Sequence, residues 1–266
     1  MMRHPLMRWS VVALVVGPLA VPCSAVARVE DEARLEEVER LLNQGDVSCA
    51  SVKGCASAIE LYNAAFVRLE KAGRSVDLSS LQEEGSDRFE ALTFYLVRNS
   101  IIANFQAGLY LARGAAEKMK QLGQRMVVLQ EHGQDGSGDA LTQALTMNMT
   151  HDAREAIPYL ERAAASITEV PTRFPWMKQP LDATLRFTDA WGGAGQMSQD
   201  GTVGFSDYYL GGAYVNLVWL SAILGDRQAQ SRWFGKLRDI GQQDQLDRWK
   251  RGLSLEVQQV LNGHQL

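Results

Sequence analysis

The sequence predicts an all-α protein made of stacked antiparallel helical hairpins or of an irregular helical bundle. Two observations support this fold class. Apolar residues recur at a spacing of three to four through most of the chain, which is typical of amphipathic helices. Alternating β-branched runs bounded by turns, which would indicate strands, are almost absent. Apolar residues make up 46% of the 266 residues, so the chain can bury a substantial core.

The first 27 residues follow the order of a secretory signal peptide. A basic start with Arg3, His4 and Arg8 precedes an apolar run over residues 11–21, and Ala25-Val26-Ala27 fits the cleavage pattern. A run of about 11 residues is shorter than the ~20 that a membrane-spanning helix needs. We therefore expect cleavage after Ala27 and a periplasmic or secreted protein without a stable membrane span.

The cysteines agree with an oxidising compartment. Cys23 follows Pro22, where a lipoprotein signal has a small residue, so we do not expect lipidation. Cys49 and Cys55 flank a short segment of mostly small residues, and an even number of cysteines in an exported protein favours a disulfide. The alternative is a thiol pair for metal or redox chemistry, but there is no nearby histidine and no C-x-x-C spacing.

Charge and length narrow the function classes and the domain number. Without the signal, the 27 basic residues fall to 25 against 31 acidic ones, a net charge near −6. This excess of acid argues against nucleic acid and against anionic lipid as partners. We expect one helical domain over residues 28–266. A division near 171–180, where Pro171, Pro175 and Pro180 suggest a linker, would give parts 28–170 and 181–266.

The N-terminal half is expected to hold long helices. The first helix should end at Gly45-Asp46, and Gly73 should stop the second. Residues 89–130 contain no proline and predict either one helix of about 63 Å or two helices broken near Gly108 or Gly123.

A further helix should begin at Ala140, with Pro158 marking a kink or a restart. Residues 181–191 predict a short helix. Residues 192–204 hold five glycines and predict a long surface loop that could act as a flap. The chain should end in three helices near 206–224, 226–240 and 243–262.

Short motifs in three of these regions resemble the tetratricopeptide repeat. That repeat sets a small, a large and a small residue along its second helix, as in Ala58-x3-Tyr62-x2-Ala65 and Ala156-x3-Leu160-x2-Ala163. Its first helix carries Leu-Gly-x-x-Tyr, which matches Leu210 to Tyr214, and Gly225-Asp226 is similar to its inter-helix turn. The resemblance implies tightly packed helical hairpins. The same small-large-small pattern also suits an unrelated helical bundle.

A narrower resemblance involves residues 209–234. A glycine-rich helix, a Gly-Asp turn and a following helix are similar to a segment of the T-component of TRAP-type periplasmic transporters. That family consists of exported helical proteins, and the resemblance implies a transport-accessory role.

Aromatic and basic residues define the candidate binding surface. All five tryptophans after the signal lie between residues 176 and 249. Arg98 and Arg113 lie 15 residues apart on the long apolar helix, about 60° apart around its axis, and can bind an anionic ligand. The alternatives are an aromatic core and arginines paired with carboxylates. The candidate residues are Trp176, Trp191, Tyr208, Tyr209, Arg98 and Arg113.

The sequence contains no serine-hydrolase elbow, no P-loop and no zinc-protease motif, so we predict no catalytic, metal or cofactor site. The predicted function is an exported binding, scaffold or transport-accessory protein. Its partner would be another envelope protein, with a small-molecule ligand as a further possibility. An enzyme with an active site outside the known motifs and a purely structural envelope oligomer are the alternatives.

Overall fold

The computed structural model describes residues 23–75, 83–136, 138–174, 177, 181, 185–186, 202–264 and 266. The predicted all-α class is confirmed for these residues, which contain eight helices and one pair of two-residue strands. The helices are α1 (Cys23–Ser48), α2 (Val52–Ser75), α3 (Glu83–Glu131), α4 (Ala140–Arg173), α5 (Phe205–Ile223), α6 (Arg227–Asp239), α7 (Asp244–Arg251) and α8 (Leu255–Gly263). The predicted signal peptide lies almost entirely outside the described residues, since α1 begins at Cys23.

The connection between α1 and α2 corrects one predicted boundary. The helix α1 does not end at Gly45-Asp46 but continues to Ser48. Gly45 is buried against the ring of Tyr62. Glycine at this position therefore allows α1 and α2 to pack closely, and it does not end the helix. The sulfur atoms of Cys49 and Cys55 lie at bonding distance across this connection, as the sequence predicts for a disulfide.

The long third segment is one helix. It spans 49 residues, about 73 Å at 1.5 Å per residue, and passes through Gly108 and Gly114 without a break. Both glycines face α4: a Cβ on Gly108 would lie 2.7 Å from Cγ of Leu160, and one on Gly114 would lie 2.6 Å from Oδ2 of Asp152. The glycines therefore mark close approach of two helices.

The helix α4 begins at a well-defined cap and is longer than predicted. The carboxylate of Asp139 accepts hydrogen bonds from the backbone N–H and hydroxyl of Thr142, both at 2.8 Å, and pairs with Arg125 of α3 at 2.7 Å. Pro158 and Pro171 both lie inside α4, which ends at Arg173. Pro171 therefore belongs to the helix and not to the predicted linker.

Two predictions about the region before α5 need correction. Leu185 and Arg186, which we expected in a helix over 181–191, form strand β1 (Leu185–Arg186). This strand pairs antiparallel with β2 (Thr202–Val203), so the end of the predicted loop over 192–204 is also extended. The rest of that loop lies outside the described residues. The paired residues are 16 or more positions apart in the sequence. A pattern of neighbouring residues cannot predict pairing over that distance.

The helix α5 is buried almost along its whole length and packs mainly against α4 and α6. Every residue of α5 from Tyr209 to Ile223 is buried, and α6, α7 and α8 all follow it in the chain. Gly225 adopts φ +73°, which favours glycine, and Asp226 caps α6 through the N–H of Ala229. The predicted last helix over 243–262 is two helices, because the chain breaks between α7 and α8.

From α1 to α6 each helix packs against the next one in the chain, and the long α3 also contacts α1, α5 and α8. The helix α3 is therefore the central element of the described fold. The buried residues of the small-large-small patterns, such as Ala58, Tyr62, Ala156 and Leu160, lie in one hydrophobic core that runs from α1 to α8. None of the described helices combines the length and apolar character needed to cross a bilayer.

Candidate binding site

Four of the six predicted surface residues lie along the contact between the start of α5 and the middle of α3. Arg98 and Arg113 lie on α3, and Tyr208 and Tyr209 lie in the first turn of α5. We call these four residues, together with Phe105 and Phe205, the α3–α5 site. The other two candidates, Trp176 and Trp191, lie outside the described residues.

Three buried aromatic rings form the floor of the site. The rings of Phe205 and Tyr209, four residues apart on one face of α5, have centroids 4.6 Å apart. Phe105 of α3 meets Tyr209 edge-on, with a centroid distance of 5.0 Å and an interplanar angle of 86°. Such perpendicular pairs align the positive edge of one ring with the negative face of the other. The floor therefore joins the two helices.

A glycine on α5 makes this aromatic contact possible. A Cβ on Gly212 would lie 2.9 Å from Cζ of Phe105, so a larger residue would displace that ring. Phe105 was missed by the sequence interpretation. Its position could have been found, because it lies seven residues after Arg98 and therefore on nearly the same face of α3.

The rim of the site is polar and faces solvent. Arg113 is exposed, and both Arg98 and Tyr208 are partly exposed. The guanidinium carbon of Arg98 lies 6.0 Å from the ring centroid of Phe205, at the outer limit of a cation–π contact. The ring of Tyr208 stands at 84° to that of Tyr209, with a centroid distance of 5.1 Å.

The pKa shifts of the two tyrosines show how the arginines act on the site. Burial raises the pKa of Tyr208, and the charge of Arg113 opposes that rise because it favours the phenolate. Burial also raises the pKa of Tyr209; the neighbouring Tyr208 adds to this rise, and the charge of Arg98 opposes it. The pKa of each tyrosine is therefore influenced by the charge of one arginine. Both phenols remain neutral at neutral pH, because burial raises both pKa values.

This arrangement is suited to binding. Two arginine side chains and the partly exposed Tyr208 lie beside the buried rings, and this chemistry fits a ligand with an anionic group on an apolar or aromatic body. Tyr209, which we expected on the surface, is buried and supports the rim from below. Among the described residues no group of three or more histidine, cysteine, aspartate or glutamate side chains could hold a metal ion.

A different set of charges surrounds a cleft between α1 and α2. Its volume is about 220 Å³, and it is lined by Ala33, Arg34, Glu37, Arg68 and Lys71. Side-chain hydrogen bonding from Arg40 is the main cause of a lowered pKa of Glu37, to which Arg68 also contributes. Since Glu37 pairs with both arginines at the surface, this cleft is a weaker candidate than the α3–α5 site.

Comparison of the chain with family models, with curated proteins and with solved structures gives no match. The candidate site therefore stands on its geometry alone.

Proposed function

We propose that the protein is an exported helical binding protein that acts as a scaffold or transport-accessory component in the cell envelope. The proposal combines the predicted signal peptide, the helical hairpins and the resemblance of residues 209–234 to the T-component. The disulfide across the α1–α2 connection fits an oxidising compartment. The observation that carries the binding role is the α3–α5 site, where Arg98 lies over the buried aromatic rings and the charge of Arg113 acts on Tyr208 at the rim.

The ligand class follows from the chemistry of the site. Guanidinium groups pair with carboxylate, sulfonate and phosphate oxygens, and aromatic edges and faces accept apolar bodies. We therefore propose that the site binds an anionic group attached to an apolar or aromatic body. An acidic segment of another envelope protein and a small aromatic anion both have this chemistry.

A pair of matched dyes tests the proposal. Anilinonaphthalene sulfonate carries the required anionic group, and N-phenylnaphthylamine has the same ring system without it. We expect saturable binding of the sulfonate dye to the folded protein, seen as a rise in its fluorescence. Arg98→Ala and Arg113→Ala should each weaken that binding roughly fivefold or more, as loss of a charge-assisted hydrogen bond does.

The controls distinguish binding of the dye at the α3–α5 site from non-specific adsorption of the dye to the protein. Arg154 is an exposed arginine on α4, and Arg154→Ala should leave binding of the sulfonate dye unchanged. The two site variants should affect the neutral dye much less than the sulfonate dye. The proposal is overturned if the sulfonate dye shows no saturable binding, or if all three variants bind it as the unaltered protein does.

A further inference from the structure

The cleft between α1 and α2 concentrates positive charge in an acidic protein. Among the described residues that line it, three are cationic and one is a carboxylate, which leaves a formal charge of +2. The chain as a whole carries −4. A concave site whose charge is opposite to that of its surroundings attracts anions to one place on the surface. The lining residues are Ala33, Arg34, Glu37, Arg68 and Lys71.

The other carboxylates in the middle of α1 lie on a different side of the helix. They belong to Glu32, Glu36 and Glu39. At 100° per residue these three positions fall within about 60° of one another, and Arg34 and Glu37 lie at least about 100° from each of them. Arg88 of α3 pairs with Glu32 at 2.9 Å and with Glu39 at 2.8 Å. These acidic side chains are therefore directed towards α3, and the cleft towards α2 keeps its positive charge.

The carboxylate of Glu37 competes with a ligand for the cations of the cleft, but the structure supplies it with a second partner. Glu37 pairs with Arg68 at 3.3 Å. Arg40, which lies outside the lining, donates to both carboxylate oxygens of Glu37, at 2.7 and 2.8 Å. Glu37 therefore remains paired when Arg68 turns to a ligand. Because ion pairs at the surface contribute little to stability, this exchange costs little free energy.

We propose that this cleft binds a phosphate group between Arg34 of α1 and Arg68 and Lys71 of α2. A phosphate group carries about −1.5 to −2 charges at neutral pH, which matches the charge of the lining. Guanidinium groups bind its oxygens through paired hydrogen bonds, and an ammonium adds a point charge. The volume of about 220 Å³ is smaller than that of most sites for drug-sized ligands, which favours free phosphate or a small phosphate monoester. The cleft shares no residue with the α3–α5 site.

Titration of the nitrogen-15-labelled protein with inorganic phosphate, at an ionic strength kept constant with sodium chloride, tests the proposal. We expect saturable changes in amide chemical shift that centre on residues 33–37 and 68–71. Arg34→Gln and Lys71→Gln alter one helix each. Each variant should weaken phosphate binding roughly fivefold or more, because each removes a charge-assisted hydrogen bond.

Two further variants distinguish the cleft from a general attraction of anions to the protein. Lys53 is an exposed lysine on the same helix as Lys71, so Lys53→Gln makes the same change of charge outside the cleft and should leave phosphate binding unchanged. Glu37→Gln should act in the opposite direction. It removes the carboxylate that competes for Arg68, so it should strengthen phosphate binding about twofold or more.

Glycerol 3-phosphate distinguishes the two sources of the phosphate group. If it binds more tightly than inorganic phosphate, the ligand is a phosphate monoester; if it binds equally or less tightly, the ligand is free phosphate. Both results support a phosphate site. The proposal is overturned if phosphate causes no saturable shifts, if Arg34→Gln and Lys71→Gln bind it as the unaltered protein does, if Lys53→Gln weakens binding as much as Lys71→Gln, or if Glu37→Gln weakens it.

Discussion

A double-mutant cycle at Gly108 and Leu160 tests how closely α3 and α4 pack. A Cβ on Gly108 would lie 2.7 Å from Cγ of Leu160 and 3.2 Å from the carbonyl oxygen of Ala156. In an open helix position, Gly→Ala raises the free energy of unfolding by about 1 kcal/mol. Overpacking a core costs about 1–3 kcal/mol. We therefore expect Gly108→Ala to destabilise the protein by about 0–2 kcal/mol.

The sign should reverse when Leu160 is shortened. Leu160 is fully buried, so Leu160→Ala should cost about 2–5 kcal/mol through lost burial and a residual cavity. It also removes the Cγ atom that the new methyl group would meet. In this background Gly108→Ala should stabilise by about 1 kcal/mol, which gives a coupling free energy of about 1–3 kcal/mol.

Urea unfolding followed by circular dichroism measures all four members of the cycle. Gly235 on α6 supplies the control, because nothing lies within 4 Å of a Cβ built there. Gly235→Ala should stabilise the protein by about 1 kcal/mol in both backgrounds. If Gly108→Ala stabilises the unaltered protein as Gly235→Ala does, and the coupling is near zero, the close approach of α3 and α4 is wrong.

Three further predictions concern stability. Replacing Cys49 and Cys55 by serine should lower the free energy of unfolding by about 2–3 kcal/mol, which is the loop-closure entropy expected for a seven-residue ring. The mass of the exported protein should be two hydrogens below that of the dithiol form. Two thiols that can be alkylated would refute this prediction. The carboxylate of Asp139 has a lowered pKa, mainly through its hydrogen bond from Arg125, so its contribution should be present above the ordinary aspartate pKa and lost as pH falls. Asp139→Ala should therefore destabilise the protein at neutral pH and weaken its acid dependence in urea unfolding, and an unchanged acid profile would count against the cap. Burial, with help from Asp46, raises the pKa of Tyr62, so stability should fall as pH rises above about 10. Tyr62→Phe should reduce that fall, and an identical alkaline profile would contradict the assignment.

Local patterns predicted the helices better than their ends. Apolar periodicity predicted helical structure, and Gly225-Asp226 predicted a turn that the structure contains. The continuity of α3 through Gly108 was left open, because the cost of a helical glycine is offset by contact with Leu160 on a different helix. The strand at Leu185–Arg186 was missed for a related reason, since its pairing partner follows many residues later.

The candidate site was predictable in part. Charges on an apolar helix singled out Arg98 and Arg113, and aromatic clustering singled out Tyr208 and Tyr209. Composition alone does not show which aromatic residues are buried, so Tyr209 was expected on the surface. Phe105 was missed because its role depends on Gly212 of a distant helix, which leaves space for its ring.

The central claim is that arginines of α3 act on tyrosines of α5 within one site. Nuclear magnetic resonance of tyrosine labelled with carbon-13 at Cζ, assigned with Tyr208→Phe, measures the pKa of Tyr208 directly. Because the charge of Arg113 opposes the rise caused by burial, Arg113→Ala should raise the pKa of Tyr208 further, whereas Arg154→Ala should not change it. A pKa of Tyr208 that is the same in all three proteins would contradict the account.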